Sequence, residues 1–166
     1  ETDFNKAISL KPDFELAYRN RGIIKMYMDS LPVAYNDLLK ATQMDPKDDK
    51  AHFYLAKVLF KQKNYPVAIQ FYNNAIDLVN YNPDYYIDRG ICKMEMQDFK
   101  AARKDFYQTM MISNEAKGRA YYEVARSYAA EDNQPIMFEN LEEAAKFSFF
   151  QKNYKYFGYM NTDPYF

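Results

Sequence analysis

The chain has 166 residues, with 22 basic and 23 acidic side chains and a formal net charge of −1. This length allows one domain, or one array of small repeats, with a sizeable core. The balanced charge gives no electrostatic reason to expect nucleic acid or an anionic membrane as a partner. One cysteine excludes a disulfide framework and a Cys-rich zinc site, and one histidine excludes most imidazole-dependent catalytic and metal sites.

The composition favours helices that pack through large side chains. Aromatic residues make up 18% of the chain, whereas there are only 4 glycines. No stretch reaches the roughly 18 apolar residues of a membrane span, so we expect no direct membrane insertion. The chain opens in the middle of its own pattern, which indicates a fragment, and both a cytoplasmic and a bacterial periplasmic location stay open.

The apolar pattern is helical and is interrupted at regular points. After a partial helix at 3–12, it predicts first helices near 14–28, 48–62, 83–96 and 116–130, and second helices near 31–44, 65–78, 99–112 and 135–148. Pro32, Pro66 and Pro135 fall just inside second helices, where the missing N–H costs nothing. The chain is therefore predicted to alternate between two kinds of helix.

Small residues recur at a fixed spacing along these helices. Gly22, Ala56 and Gly90 are each 34 residues apart, and Ala125 follows after 35. Two further registers agree with this period, namely Ala34, Ala68 and Ala102, and Ala7, Ala41, Ala75, Thr109 and Ala144. Two antiparallel helices approach closely only where side chains are small, so these registers predict the helix crossings.

These residues resemble the tetratricopeptide repeat family, whose unit is a 34-residue helix–turn–helix. The best-matching unit reads Tyr18, Gly22, Ala34, Leu38, Ala41 and Pro46. The resemblance implies an all-α, right-handed α-solenoid of antiparallel helix pairs that occupies residues 1–149. Its expected parts are a partial repeat at 1–13, repeats at about 14–47, 48–81, 82–115 and 116–149, and a C-terminal capping helix and tail at 150–166. The tail, Asn161 to Phe166, is similar to a terminator of some bacterial members.

Catalysis is not expected. His52 falls where the family has a large aromatic residue and has no second His or Cys at metal-ligand spacing, so a packed histidine is predicted. Cys92 lies inside a predicted helix and is interpreted as a buried structural thiol. We expect no enzyme activity, no cofactor and no metal site.

Two opposite-charge pairs recur at the same spacing. Arg21 and Asp37 are 16 residues apart, and so are Arg89 and Asp105. A structural pair across each helix crossing is favoured over two arginines that bind ligand acids, although both interpretations stay open.

The resemblance implies that the first helices line a concave groove that binds a peptide or helix of a partner protein. The candidate groove residues are Arg19, Ile23, Met26, Phe53, Lys57, Phe60, Ile87, Ile91, Met94, Tyr122 and Arg126. The stripe Phe53, Phe60, Ile91 and Met94 is predicted to be its apolar centre. Chaperone-binding members use basic residues where this chain has Asp84 and Asp88, which argues against that function.

The favoured function is a non-catalytic protein–protein interaction scaffold. The main alternative is a structural subunit of a larger, possibly bacterial envelope-associated assembly, in which the chain itself or its neighbours cover the groove. A regulatory domain attached to an enzyme outside the fragment is a third hypothesis. The scaffold hypothesis expects a protein or peptide partner, whose identity the sequence does not reveal. Nucleic acid is not an expected partner.

Overall fold

The computed structural model describes residues 2–147, with side chains from residue 4 onward. Over this range the chain forms nine α-helices and no strand. The helices are α1 (Thr2–Leu10), α2 (Glu15–Tyr27), α3 (Leu31–Met44), α4 (Asp49–Lys61), α5 (Tyr65–Leu78), α6 (Pro83–Glu95), α7 (Phe99–Ile112), α8 (Lys117–Ala129) and α9 (Gln134–Lys146). Every predicted helix is confirmed to within about two residues at each end, which is the usual uncertainty of helix boundaries.

The chain forms two compact units, Glu1–Tyr81 and Asn82–Phe166. In the first, α2 packs on α3 and α4 on α5, while α1 packs on α2. In the second, α6 packs on α7 and α8 on α9. The division of these helices into repeats stays a prediction, and the predicted capping helix and tail at 150–166 lie outside the described residues.

The turn within each helix pair has the same backbone geometry. In each turn one non-glycine residue adopts the left-handed conformation. The N–H of the following residue donates a hydrogen bond to the carbonyl five residues before it. In the first turn, for example, the N–H of Ser30 donates to the carbonyl oxygen of Lys25 at 2.8 Å. This pattern satisfies the carbonyls at the end of the first helix. The residues at positive φ are Asp29, Lys63, Gln97 and Asp132. Their spacing follows the repeat period, yet sequence reasoning missed them because glycine is the usual signal for this position.

The close crossing of paired helices is confirmed at both glycines. A Cβ atom placed on Gly22 would lie 2.7 Å from Cγ of Leu38 and 3.3 Å from the carbonyl oxygen of Ala34. A Cβ on Gly90 would lie 2.5 Å from Cε1 of Phe106. Leu38 and Phe106 are both fully buried, so neither can move aside easily.

Large side chains fill the space on either side of these crossings. Tyr72 and Phe106 are 1% and 0% exposed, as expected for aromatics that pack around small residues. In the Asn82–Phe166 unit one core cluster joins α6, α7 and α8. It consists of Met94, Ala102, Phe106, Ala120 and Val124.

Replacing either glycine with leucine should destabilise the fold. The added side chain must displace a buried neighbour, so Gly22→Leu and Gly90→Leu should each lower the free energy of unfolding by about 1–3 kcal/mol or more. Urea denaturation measures this change. Met111→Leu serves as the control, because Met111 is 83% exposed on α7. Unchanged stability in both glycine variants would contradict the close crossing.

Candidate functional site

Five of the eleven candidate groove residues are buried. Met26 and Met94 are 1% exposed, and Ile87 is 0% exposed. Met94 is part of the core cluster described above. The prediction that these side chains are exposed in a groove is therefore wrong. The predicted apolar centre is wrong as well, because it included the buried Met94. The five buried residues are Met26, Phe53, Ile87, Met94 and Tyr122.

Helix geometry explains the error. All five lie three residues before or four residues after the small residue of their helix, as Ile87 and Met94 do around Gly90. At about 100° per residue, these positions fall within about 60° of the small residue and face the same crossing. The half-buried candidates Ile23, Lys57, Ile91 and Arg126 instead follow the small residue by one position, which turns them away from the core.

The exposed sector of α2 and α4 forms a surface in the Glu1–Tyr81 unit, where these two helices are in contact. Its members recur at i, i+4, i+7 and i+11, which keeps them on one side of each helix. This first-helix surface consists of Leu16, Asn20, Ile23 and Tyr27 on α2 and Lys50, Tyr54, Lys57 and Lys61 on α4, of which none is buried. The same spacing in the sequence, measured from the small residue, would have found all eight.

One ionic cluster fixes α2 against the start of α4. Nη1 of Arg19 donates to Oδ2 of Asp48 at 2.7 Å. The other oxygen of Asp48 accepts the N–H of Ala51 and caps α4. Arg19 therefore positions the two helices of the first-helix surface and has its charge balanced within the chain.

A shared proton completes this cluster. Burial, together with a hydrogen bond to Asp48 and its negative charge, raises the pKa of Glu15 from 4.5 to about 7. Burial alone would raise the pKa of Asp48 as well, but hydrogen bonds from Glu15, from the Ala51 N–H and from Arg19 hold it below its ordinary value. Below about pH 7, Glu15 is therefore mostly protonated and can donate to the Asp48 carboxylate.

The two predicted charge pairs are confirmed as structural pairs. Arg21 contacts Asp37 through two hydrogen bonds of 2.7 and 2.6 Å, and Arg89 contacts Asp105 through two of 2.9 and 2.6 Å. Nζ of Lys93 adds a third donor to Asp105 at 2.7 Å. Because both aspartates are buried, these guanidinium groups serve the helix crossings and are not available to bind ligand acids.

Basic groups of the Asn82–Phe166 unit are also engaged within the chain. Arg119 lies 3.3 Å from Asp88 and 3.6 Å from Asp84, and Arg126 lies 2.6 Å from Glu123. The charges of Arg119 and Arg126 are therefore balanced by acids of the same unit. The lysines of α4 also have contacts within the chain, since Nζ of Lys57 lies 5.0 Å from the centre of the Phe53 ring. Lys61 contacts Asp29 at 3.3 Å in an exposed pair that contributes little.

The catalytic candidates occupy structural positions. His52 is buried, its Nε2 lies 3.0 Å from the carbonyl oxygen of Pro46, and its ring stacks on Phe71. Cys92 is buried too, and burial, with a smaller effect of Glu95, raises the pKa of its thiol to about 12. A thiol with that pKa is not a nucleophile at neutral pH.

Among the described residues there is no group of three or more His, Cys, Asp or Glu side chains that could hold a metal ion. None of the helices α1 to α9 is long and apolar enough to span a membrane.

Known proteins share this sequence pattern and fold. Residues 49–82 match the family model described as tetratricopeptide repeat. The chain is 29% identical over 151 residues to the DnaJ homolog subfamily C member 7 homolog of Dictyostelium discoideum, which is 86% of this chain and 28% of that protein. It thus spans less than a third of this relative's length.

Solved structures agree over most of the chain. A crystal structure of MamA superposes with a TM-score of 0.82 at 19% identity and covers 90% of this chain and 87% of that one. The structure of the APC/C hetero-tetramer Cut9-Hcn1 gives a TM-score of 0.77 at 15% identity, over 87% of this chain and 28% of that one. The fold class is therefore an all-α helical solenoid, as predicted. The family match at residues 49–82, together with the shared fold, supports a tetratricopeptide repeat family for this chain.

The buried charge pairs should be energetically coupled. A double-mutant cycle with Arg21→Ala and Asp37→Ala should show a coupling free energy of about 1–3 kcal/mol, because either single change leaves a charge unpaired near the core. Denaturant unfolding of the four proteins measures it. The exposed Lys61–Asp29 pair is the control and should couple by about 0.5 kcal/mol or less. Zero coupling between Arg21 and Asp37 would show that the pair contributes nothing to stability.

Glu15 should make stability depend on pH. The folded chain holds its proton up to about pH 7, whereas an unfolded chain loses it near 4.5, so the free energy of unfolding should fall as pH rises between these values. The lowered pKa of Asp48 means that its carboxylate stabilises the fold at pH values above its ordinary pKa. This stabilisation is lost only as the pH falls below that value. Glu15→Gln keeps a donor to Asp48 but cannot ionise.

Thermal unfolding of both proteins at several pH values tests this prediction. Glu15→Gln should equal the natural chain near pH 4 and exceed it in stability near pH 8. Other titrating groups are common to both proteins and cancel in the comparison. Parallel stability curves would contradict the shared proton.

Proposed function

We propose that the chain is a non-catalytic interaction scaffold that holds a segment of a partner protein on the first-helix surface. Its family and its solenoid fold support a binding role, because stacked helix pairs present extended surfaces to partners. The packed His52 and the high pKa of Cys92 support the absence of catalysis. Cut9 is a longer protein whose structure is that of a hetero-tetramer with Hcn1, which suggests only that this chain, too, binds protein.

The observation that carries the proposal is the apolar content of the first-helix surface. Leu16 is 41% exposed and Tyr27 is 72% exposed, on the same side of α2 as the half-buried Ile23. Side chains of this kind, aligned over three helical turns, are typical of protein interfaces. Six of the original groove candidates are half-buried and keep accessible area, namely Arg19, Ile23, Lys57 and Phe60 in this unit and Ile91 and Arg126 in the other.

The charges on the neighbouring helix indicate the kind of segment that fits. α4 places Lys50, Lys57 and Lys61 along the stripe beside the apolar residues of α2. An amphipathic segment with apolar anchors toward α2 and acidic residues toward α4 complements both. The anchors would supply the affinity, and the lysines would supply orientation and association rate.

One observation favours the structural-subunit alternative. Tyr107 and Met111 lie four residues apart on α7 and are 45% and 83% exposed. They form another exposed apolar area, which lies on the second helix of a pair and not on a first helix. A subunit that packs along its outer side would use such an area. This alternative predicts concentration-dependent oligomers of the isolated chain.

A negative charge in place of Leu16 should weaken binding of the partner segment. Peptides selected from a displayed library against the chain should be rich in apolar residues and acids, and Leu16→Asp should weaken their binding by at least about tenfold, equivalent to about 1.4 kcal/mol. Fluorescence anisotropy with a labelled selected peptide measures the affinity.

Leu78→Asp is the matched control, because Leu78 is 40% exposed on a second helix, nearly the same as Leu16. It should leave the affinity unchanged. Circular dichroism should show the same helix content in both variants. Equal losses in the two variants, or selection of peptides whose binding ignores Leu16→Asp, would contradict the proposed surface.

A further inference from the structure

A crevice opens at the side of the Glu1–Tyr81 unit, between the first turns of α3 and the loop that joins α4 to α5. It encloses about 360 Å³, a volume within the range of small ligand sites. It is lined by Pro32, Tyr35, Asn36, Leu59, Gln62 and Asn64. This side crevice combines an aromatic ring and an aliphatic wall with three exposed carboxamide groups.

The equivalent place in the Asn82–Phe166 unit is filled by the chain itself. Arg103 occupies the repeat position of Tyr35, and its guanidinium lies 4.3 Å from the centre of the Tyr128 ring. Its Nη1 donates to Glu131 at 2.6 Å and to Ser127 at 3.3 Å. The side chain of Arg103 is only 14% exposed. In that unit a planar group therefore stacks on a ring and has its donors satisfied.

Three differences leave the side crevice open. By the repeat register, Tyr35 replaces Arg103, Leu59 replaces Tyr128 and Gln62 replaces Glu131. The long side chain that would span the gap and the carboxylate that would hold it are both missing. Tyr35 is half-buried against the crevice wall, while Asn36, Gln62 and Asn64 make no side-chain hydrogen bond to any other residue in the described part of the chain.

The lining determines the chemistry of an occupant. No acidic or basic side chain lines the crevice, so a charged group would lose hydration without gaining a counter-charge. A neutral side chain can pack between Tyr35 and Leu59. The carboxamides carry both donors and acceptors, which match the N–H and C=O groups of a peptide main chain.

We propose that the side crevice binds a short uncharged peptide segment of a partner, with an aromatic or aliphatic side chain against Tyr35 and Leu59 and its main chain on the carboxamides of Asn36, Gln62 and Asn64. At about 100° per residue, Leu59 lies about 140° around α4 from Tyr54 and about 160° from Lys57. The side crevice is therefore a second site, separate from the first-helix surface.

Nuclear magnetic resonance of the whole chain tests the proposal through the side-chain NH₂ signals of the three carboxamides. The probe is the blocked tripeptide acetyl-Ala-Tyr-Ala-amide, and the controls are acetyl-Ala-Arg-Ala-amide and acetyl-Ala-Glu-Ala-amide. The tyrosine probe should shift the three signals saturably, with a dissociation constant on the order of 1 mM. The charged peptides should bind at least about tenfold more weakly.

A variant that carries the side chains of the other unit provides the sharper comparison. Tyr35→Arg, Leu59→Tyr and Gln62→Glu together should fill the crevice as Arg103 does and abolish the shifts at Asn36 and Asn64, with helix content retained. The second variant combines Asn36→Ala with Gln62→Ala at two exposed positions and serves as the test if the first variant does not fold. It should weaken binding of the tyrosine probe about tenfold. Leu16→Asp should change nothing, which separates this site from the first-helix surface.

Three results would overturn the proposal. The first is the absence of saturable shifts with the tyrosine probe, and the second is equal binding of the charged peptides. The third is full binding by a folded variant with the filled crevice, or by the Asn36→Ala and Gln62→Ala variant. Loss of probe binding in these variants, with Leu16→Asp unaffected, would support it.

Discussion

The close approach of paired helices at a small residue is the constraint on which the rest of the structure depends. At Gly22 and Gly90 there is no room for a Cβ atom, so each first helix is held in one rotation about its axis. That rotation turns the positions three before and four after the small residue toward the core, where Met26, Ile87 and Met94 are buried. The same rotation leaves the residue that follows the small residue, such as Ile23 or Ile91, at the edge of the exposed side of the helix. The candidate site follows from this rotation.

The internal ion pairs then determine which charges are left to act on a partner. Asp37 and Asp105 are buried on second helices and need cations, which Arg21 and Arg89 supply across the crossing. Arg19 is used to join α2 to α4, and Arg119 and Arg126 are balanced by acids of their own unit. The basic character of the first-helix surface therefore comes from the lysines of α4, and not from Arg19, whose charge Asp48 balances.

Much of the fold followed from short-range signals. The helix bounds were predictable because the apolar period, the prolines at helix starts and the repeat spacing agree. The Arg–Asp pairs were predictable because both partners recur together at a spacing that places them across one crossing. The groove residues were less predictable, because neighbouring sectors of a helix differ by one or two residues, and Met26 and Ile23 look equally suitable in the sequence.

The sequence by itself determined the helices, the packing of neighbouring helices in pairs, the structural roles of His52 and Cys92, and the partners of Arg21 and Arg89. These features depend on residues close in sequence or fixed by the period. Only the tertiary structure decided which apolar side chains stay accessible and where space remains between helices. Arg103 fills its crevice, whereas Tyr35 leaves one open, because each outcome depends on side chains from three segments that meet only in the folded chain.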